Sequence, residues 1–166
     1  SRLAQLRSEL PSVLPPPPTS IVLEIGCGHG HFLARYAEAH PDRFCLGIDI
    51  INDRLERAAK KGRRAGLTNL HFHKTEATEL IECLPPGISL QSVFLLFPDP
   101  WPKKRHHKNR LVRPDFLADL ARRMVPGGNL YFRTDHAAYF AAGREILERH
   151  PDWQIEASAP WPFEEA

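Results

Sequence analysis

Six short runs that read as strands, apolar or alternating, at residues 21–25, 44–48, 70–74, 92–97, 130–134 and 153–157, alternate with segments of helical periodicity. That rhythm leaves few folds open. Strands separated by helices pair in parallel, each crossover lays a helix over the sheet, and the strand C-termini collect along one edge. The helices are expected at 32–40, 53–65, 78–84, 114–124 and 137–150, with Asp53 capping the second and Gly66 ending it. Residues 1–20 read as a lead-in, with Leu3, Leu6 and Leu10 at helical spacing and prolines 15–18 as an extended spacer. The domain is placed at 21–166, since no repeat or linker marks a second one.

The first two runs frame one candidate site. Glu24 stands near the end of the first, followed by Gly26, Gly28 and Gly30 in alternation, and Asp49 closes the second. Glycines there allow positive φ and a close approach of backbone to ligand. An acid at the end of the second strand can accept from two ribose hydroxyls. A dinucleotide fingerprint wants its third glycine one residue later. An acid two residues before the first glycine suits an ammonium or sulfonium better than a pyrophosphate.

The fourth run opens onto Pro98-Asp-Pro-Trp-Pro-Lys-Lys-Arg-His-His-Lys-Asn-Arg110. Prolines 98, 100 and 102 forbid both helix and ladder, so the chain leaves the sheet as a stiff loop. Six cations between Lys103 and Arg113 stand there against the single acid Asp99, while the whole chain carries a net charge of only +2. A strong local field therefore sits at one strand end, where open α/β sheets place their ligands.

Composition excludes more than it selects. No apolar run reaches membrane-spanning length and the first residues lack a signal-peptide pattern, so a cytoplasmic protein is expected. Cys27, Cys45 and Cys83 are odd in number and lack metal-ligand spacing, which argues for a reducing compartment. His29, His31, His106 and His107 form no recognisable ligand set, and no metal is expected.

The acid–GxGxG turn resembles that of the class I S-adenosylmethionine-dependent methyltransferases, as does Leu120…Val125-Pro-Gly-Gly128. With LEIGCGHG before it and RTDHAAYF after it, the block FPDPWPKKRHHKNRLV is similar to the bacterial tRNA (guanine-N(7)-)-methyltransferase family over residues 21–163. The resemblance implies a Rossmann-like α/β fold, S-adenosylmethionine as cofactor, tRNA as partner, and methylation at guanine N(7) in the variable loop, at position forty-six. By matching positions it implies that Glu24, Gly26, Gly28, Gly30, Asp49, Glu76 and Asp99 line the cofactor site, with Asp99 also catalytic. Lys103, Lys104, Arg105, Lys108, Asp135 and Glu164 would meet the substrate, and the stretch 104–110 would face RNA. Trp101 either stacks on a base or packs under its own loop. Asp49 stands where the family more often has Glu, and Glu76 where it has Asp or Asn. No threonine stands at the family's place before Glu164, and its last strand is not found in this sequence.

The helix at 53–65 carries Arg54, Arg57, Lys60, Lys61, Arg63 and Arg64 against Asp53 and Glu56. The ordinary reading of such a helix is a solvated face, and the alternative is a second tRNA-contacting face. Two other functions stay open beside tRNA methylation: a class I methyltransferase of another RNA or a small acceptor, and a non-catalytic RNA-binding relative. Monomer and homodimer are both compatible with the sequence.

Overall fold

The runs pair as expected through the fifth. In the computed structural model, which describes residues 1–156, β1 (Thr19–Ile25), β2 (Cys45–Asp49), β3 (Leu70–Lys74), β4 (Ile88–Leu96) and β5 (Met124–Arg133) form one sheet. Its order is β3-β2-β1-β4-β5 and every neighbouring pair is parallel. The helices are α1 (Arg2–Val13), α2 (His31–Ala39), α3 (Asn52–Arg64), α4 (Ala77–Cys83), α5 (Pro114–Arg123) and α6 (Ala137–Arg149).

The central strands β1, β2 and β4 are buried on both faces, as is usual for a parallel sheet covered by helices. Along β1 the period of two sends Ile21, Leu23 and Ile25 into one apolar cluster, with α1, α4, α5 and Tyr139 of α6. Val22 enters the other, with Leu33 and Tyr36 of α2, Leu55 and Ala58 of α3, Phe72 and Phe94. Leu6, Leu10 and Leu14 of the lead-in are buried in the first cluster. An ion pair between Arg2 and Glu79 ties α1 to α4 at 2.5 Å. From β1 the chain crosses to β2 on one side, and β4 lies on the other. That reversal makes the ends of β1 and β4 the switch point of the sheet, where a crevice opens.

Three local expectations change. The tract Val125–Gly128 is not a turn before the fifth strand but a bulge inside it, because Leu90 pairs with Met124 and the ladder resumes at Ser92 with Asn129. Asp53 does not cap α3; the helix starts one residue earlier, after Ile51, and Asp53 lies in the first turn where the dipole favours an acid. Residues 153–156 form no strand. The Trp153 indole Nε1–H instead donates to Leu117 O of α5 at 2.9 Å, which draws the segment onto a helix rather than to a sheet edge. Residue 157 of that expected strand lies outside the described residues. Among the described residues, no helix is long and apolar enough to cross a membrane.

Candidate active site

The turn after β1 is built by its backbone. The amides of Gly26 and Cys27 both donate to Ile48 O at 2.9 Å, and Gly30 N donates to Cys27 O at 2.9 Å. Gly26, Gly28 and Gly30 adopt positive φ of 70°, 57° and 74°. Their surroundings differ. A Cβ on Gly26 or Gly28 would meet nothing within 4 Å, whereas one on Gly30 would strike Phe72 Cζ at 2.7 Å and Ala58 Cβ at 2.8 Å. Gly26 and Gly28 thus leave room for a ligand. Gly30 serves the packing of the turn on α3 and β3.

Two acids stand behind this turn in contrasting states. Asp49 is held by amides, its Oδ2 accepting from Gly28 N at 2.9 Å and its Oδ1 from Ile51 N at 3.0 Å. Glu24 is 4% exposed, and its buried Oε1 has no hydrogen-bond partner among the described residues. Burial, with the Asp49 charge adding to it, holds the Glu24 carboxyl well above the usual carboxylate range. An orphaned acceptor under an open glycine turn is an incomplete site, since buried polar atoms are otherwise paired. A cationic donor group, such as the ammonium of an amino acid, would complete it.

The crevice at the switch point has a volume of about 280 Å³. Its floor is Ile25, Ile48 and Leu95, and Gly26, Asp49, Glu76 and Asp99 all line it. Three carboxylates from the ends of β2, β3 and β4 therefore converge on one space. Glu76 begins α4 without capping it, and its carboxylate accepts from the Thr78 hydroxyl. Asp99 is exposed at the rim. Ile50 and Ile51, 67% and 41% exposed, give the same space an apolar edge.

The loop after β4 is held by few but well-placed bonds. Phe97 N donates to Arg133 O at 2.7 Å at the root, and His107 Nε2 lies 3.3 Å from Pro102 O farther out. Phe97 and Trp101 adopt φ of 54° and 44°, strained conformations for bulky residues that bracket Asp99. Trp101 lines the crevice and meets the His106 ring edge-on, with centroids 5.7 Å apart. Between the brackets, Arg110 Nε donates to Pro100 O at 2.7 Å.

Arg110 is where the sequence reading needs correction. It does not face RNA with its neighbours: it is 6% exposed, and its guanidinium lies 4.7 Å from the centroid of the Tyr139 ring. A planar cation can stack on an aromatic face and still donate in its own plane, so it latches the loop to α6. Tyr139 is itself fixed, its hydroxyl accepting from Val112 N at 3.2 Å.

Lys103, and Lys104, Arg105 and Lys108 of the 3₁₀ turn Lys104–Asn109, are exposed beyond that latch. Asp135 is exposed in the turn after β5 and is not among the crevice-lining residues. Glu164 lies outside the described residues. Arg54 and Asn109 line the crevice although sequence reasoning did not single them out for it. Arg54 was hidden among the cations of α3, and Asn109 carried no signal of its own.

A family profile described as "Putative methyltransferase" matches residues 18–165. The chain belongs to this methyltransferase family. It is 46% identical over 127 residues to a tRNA (guanine-N(7)-)-methyltransferase of Halorhodospira halophila, covering 76% of this chain and 55% of that one. It is 40% identical over 141 residues to the enzyme of the same name from Thermus thermophilus, covering 84% of this chain and 45% of that one. The methyltransferase chain thus spans about half the length of the curated relatives it matches. Among solved structures, TrmN from Thermus thermophilus aligns with a TM-score of 0.60 at 20% identity, over 86% of this chain and 39% of that one. That likeness concerns the fold, a Rossmann-like α/β sheet with helices on both faces.

Proposed function

We propose that this methyltransferase chain transfers a methyl group from S-adenosylmethionine to N(7) of a tRNA guanine, in the variable loop at position forty-six. The observation that carries the reading is the meeting of Gly26, Asp49, Glu76 and Asp99 around one crevice, with the unpartnered Glu24 Oε1 beneath the adjoining turn. S-adenosylmethionine supplies, when bound, an electrophilic methyl on a sulfonium and a cationic amino-acid end. Glu24 would take the ammonium, Asp49 the ribose hydroxyls and Glu76 the adenine amino group. The open faces of Gly26 and Gly28 leave space for the chain between them.

Guanine N(7) has an in-plane lone pair and no proton, so the chain needs no general base. What its residues must do is orient the ring and keep water out. Asp99 accepts from the N–H edge of the guanine and holds the ring in plane, and the same carboxylate offsets the charge of the methylated product. Trp101 walls the crevice beside it. Lys103 holds a phosphate, and Lys104, Arg105 and Lys108 bring the tRNA to the loop as diffuse positive charge. The proposed setting is the cytoplasm, where three unpaired cysteines stay reduced.

Transfer of labelled methyl to unmodified bulk tRNA, followed by digestion to nucleosides, tests the reading. The expected product is 7-methylguanosine, lost when the variable-loop guanine is replaced. Label on another nucleoside or on a small acceptor would overturn the substrate, and tRNA binding without transfer would overturn the reaction.

A further inference from the structure

Helix α3 carries more positive charge than a solvated helix needs, and the charge is ordered. Leu55, Ala58 and Gly62 mark its buried line. At about 100° per residue, Arg54, Arg57, Lys61 and Arg64 fall within roughly 80° of one another, just outside that line. All four are exposed, and Glu56, on a different part of the surface, is hydrogen-bonded to Asn52 at 3.0 Å. On α5 and α6, by contrast, exposed arginines are neutralised locally: Arg122 pairs with Asp119, Arg144 with Glu148 and Arg149 with Glu145. Among the described residues no acid pairs with the four cations of the α3 stripe. Lys61 Nζ instead lies 2.7 Å from His31 Nδ1 at the start of α2.

The stripe is continuous with the active site. Arg54 lines the same crevice as Asp99 and Trp101, while Asn109, closing the basic 3₁₀ turn, lines it from the opposite rim. Positive charge thus flanks the acidic crevice on both sides. From Arg54 to Arg64 the stripe runs about 15 Å along a rigid helix. The sequence of α3, NDRLERAAKKGRR, holds no aromatic residue to stack on an unpaired base. Such a surface reads phosphates and not bases.

We propose that the α3 stripe, Arg54, Arg57, Lys61 and Arg64, docks the phosphate backbone of a base-paired limb of the tRNA whose guanine enters the crevice. The inference rests on the functional reading above and adds a second, separate contact to it. The loop cations hold the strand that carries the target base, and α3 holds a helical limb beside it and fixes the approach.

The test uses the full chain with Arg57, Lys61 and Arg64 changed together to Gln, leaving Arg54 in place at the crevice. Binding of unmodified tRNA is measured across a salt series, alongside methyl transfer. The expected result is affinity weaker by about 10- to 100-fold at low salt, with a logarithmic salt slope shallower by roughly 2–3. KM for tRNA rises in step while kcat stays within about twofold. A short single-stranded RNA carrying the same guanine, which has no paired limb, should bind wild type and triple variant alike. Changing Arg122, Arg144 and Arg149 together to Gln, equal in charge, should leave the tRNA slope as in wild type. A triple variant with wild-type affinity and slope would overturn the inference alone, provided wild type methylates tRNA. A wild type that neither binds nor methylates tRNA would overturn the functional reading, and this inference with it. Equal weakening by the control variant would reduce the stripe to nonspecific charge.

Discussion

On the β1–β2 side of the crevice, position is fixed by main chain. Amides of Gly28 and Ile51 hold Asp49, the glycine turn is bonded to Ile48, and the orphaned acid, Glu24, is sealed under it. On the β4 side, beyond the main-chain bond of Phe97 to Arg133 at the root, position is fixed by side chains reaching over distance: Arg110, seated on Tyr139, to Pro100, and His107 to Pro102. The first side is rigid and carries its cost internally, as an unpaired buried carboxyl. The second is exposed and strained at Phe97 and Trp101, and it depends on a few removable latches. A donor small enough to be enclosed suits the first arrangement. A polynucleotide that must enter and leave suits the second.

The sharpest way to break this contrast is Asp99→Ala. Asp99 is exposed and makes no side-chain hydrogen bond among the described residues, so the thermal midpoint should hold while methyl transfer falls by about 10²–10³-fold. A variant that unfolds would show that the acid belongs to the scaffold and not to the chemistry.

Glu24→Gln comes next and should act in two directions. Affinity for S-adenosylmethionine, read by calorimetry, should fall by about 10- to 100-fold, the worth of a charge-assisted hydrogen bond. The free protein should become more stable near neutral pH by roughly 1–2 kcal/mol, because Gln needs no proton to stay neutral when buried, whereas the Glu24 carboxyl must take one up on folding. The sign follows from the raised Glu24 value. Between the ordinary carboxylate value and the folded one, the native state binds the extra proton, so stability falls as pH rises through that window. Thermal melts of wild type should show that decline, and Glu24→Gln should flatten it.

Arg110→Lys removes the planar donor while keeping the charge. Transfer should drop by about tenfold with donor affinity unchanged, as expected when a reacting group is held less firmly. Lys104 and Arg105 changed together to Ala should have the smallest effect. We expect weaker tRNA binding by several-fold and a salt slope shallower by about 1–2, with kcat nearly intact. An unchanged slope would remove that turn from the RNA surface.

Most of the frame was legible because its signals are local. Residues 44–48 are apolar, residues 70–74 alternate Leu70 and Phe72 with histidines, both are short and bounded by turn residues, and β2 and β3 fall within a residue of them. Strand β5 was half legible: a Pro-Gly-Gly tract reads as a turn whether it precedes a strand or bulges within one, and only pairing with β4 decides. Residues 153–156 alternate like a strand, yet the Trp153 indole found a carbonyl on α5, a partner no local pattern announces. The candidate site divides in the same way. Glu24, Gly26, Asp49 and Asp99 stand out by spacing at strand ends. Arg110 does not, because in sequence it is one cation among six and only burial against Tyr139 separates it from them.

Donor affinity, measured side by side in wild type, Glu24→Gln and Arg110→Lys, tests the division of the crevice most directly. The account predicts that Glu24→Gln loses most of its binding of S-adenosylmethionine, while Arg110→Lys binds it as wild type does and yet transfers methyl slowly. Donor binding intact in Glu24→Gln, or abolished in Arg110→Lys, would contradict it.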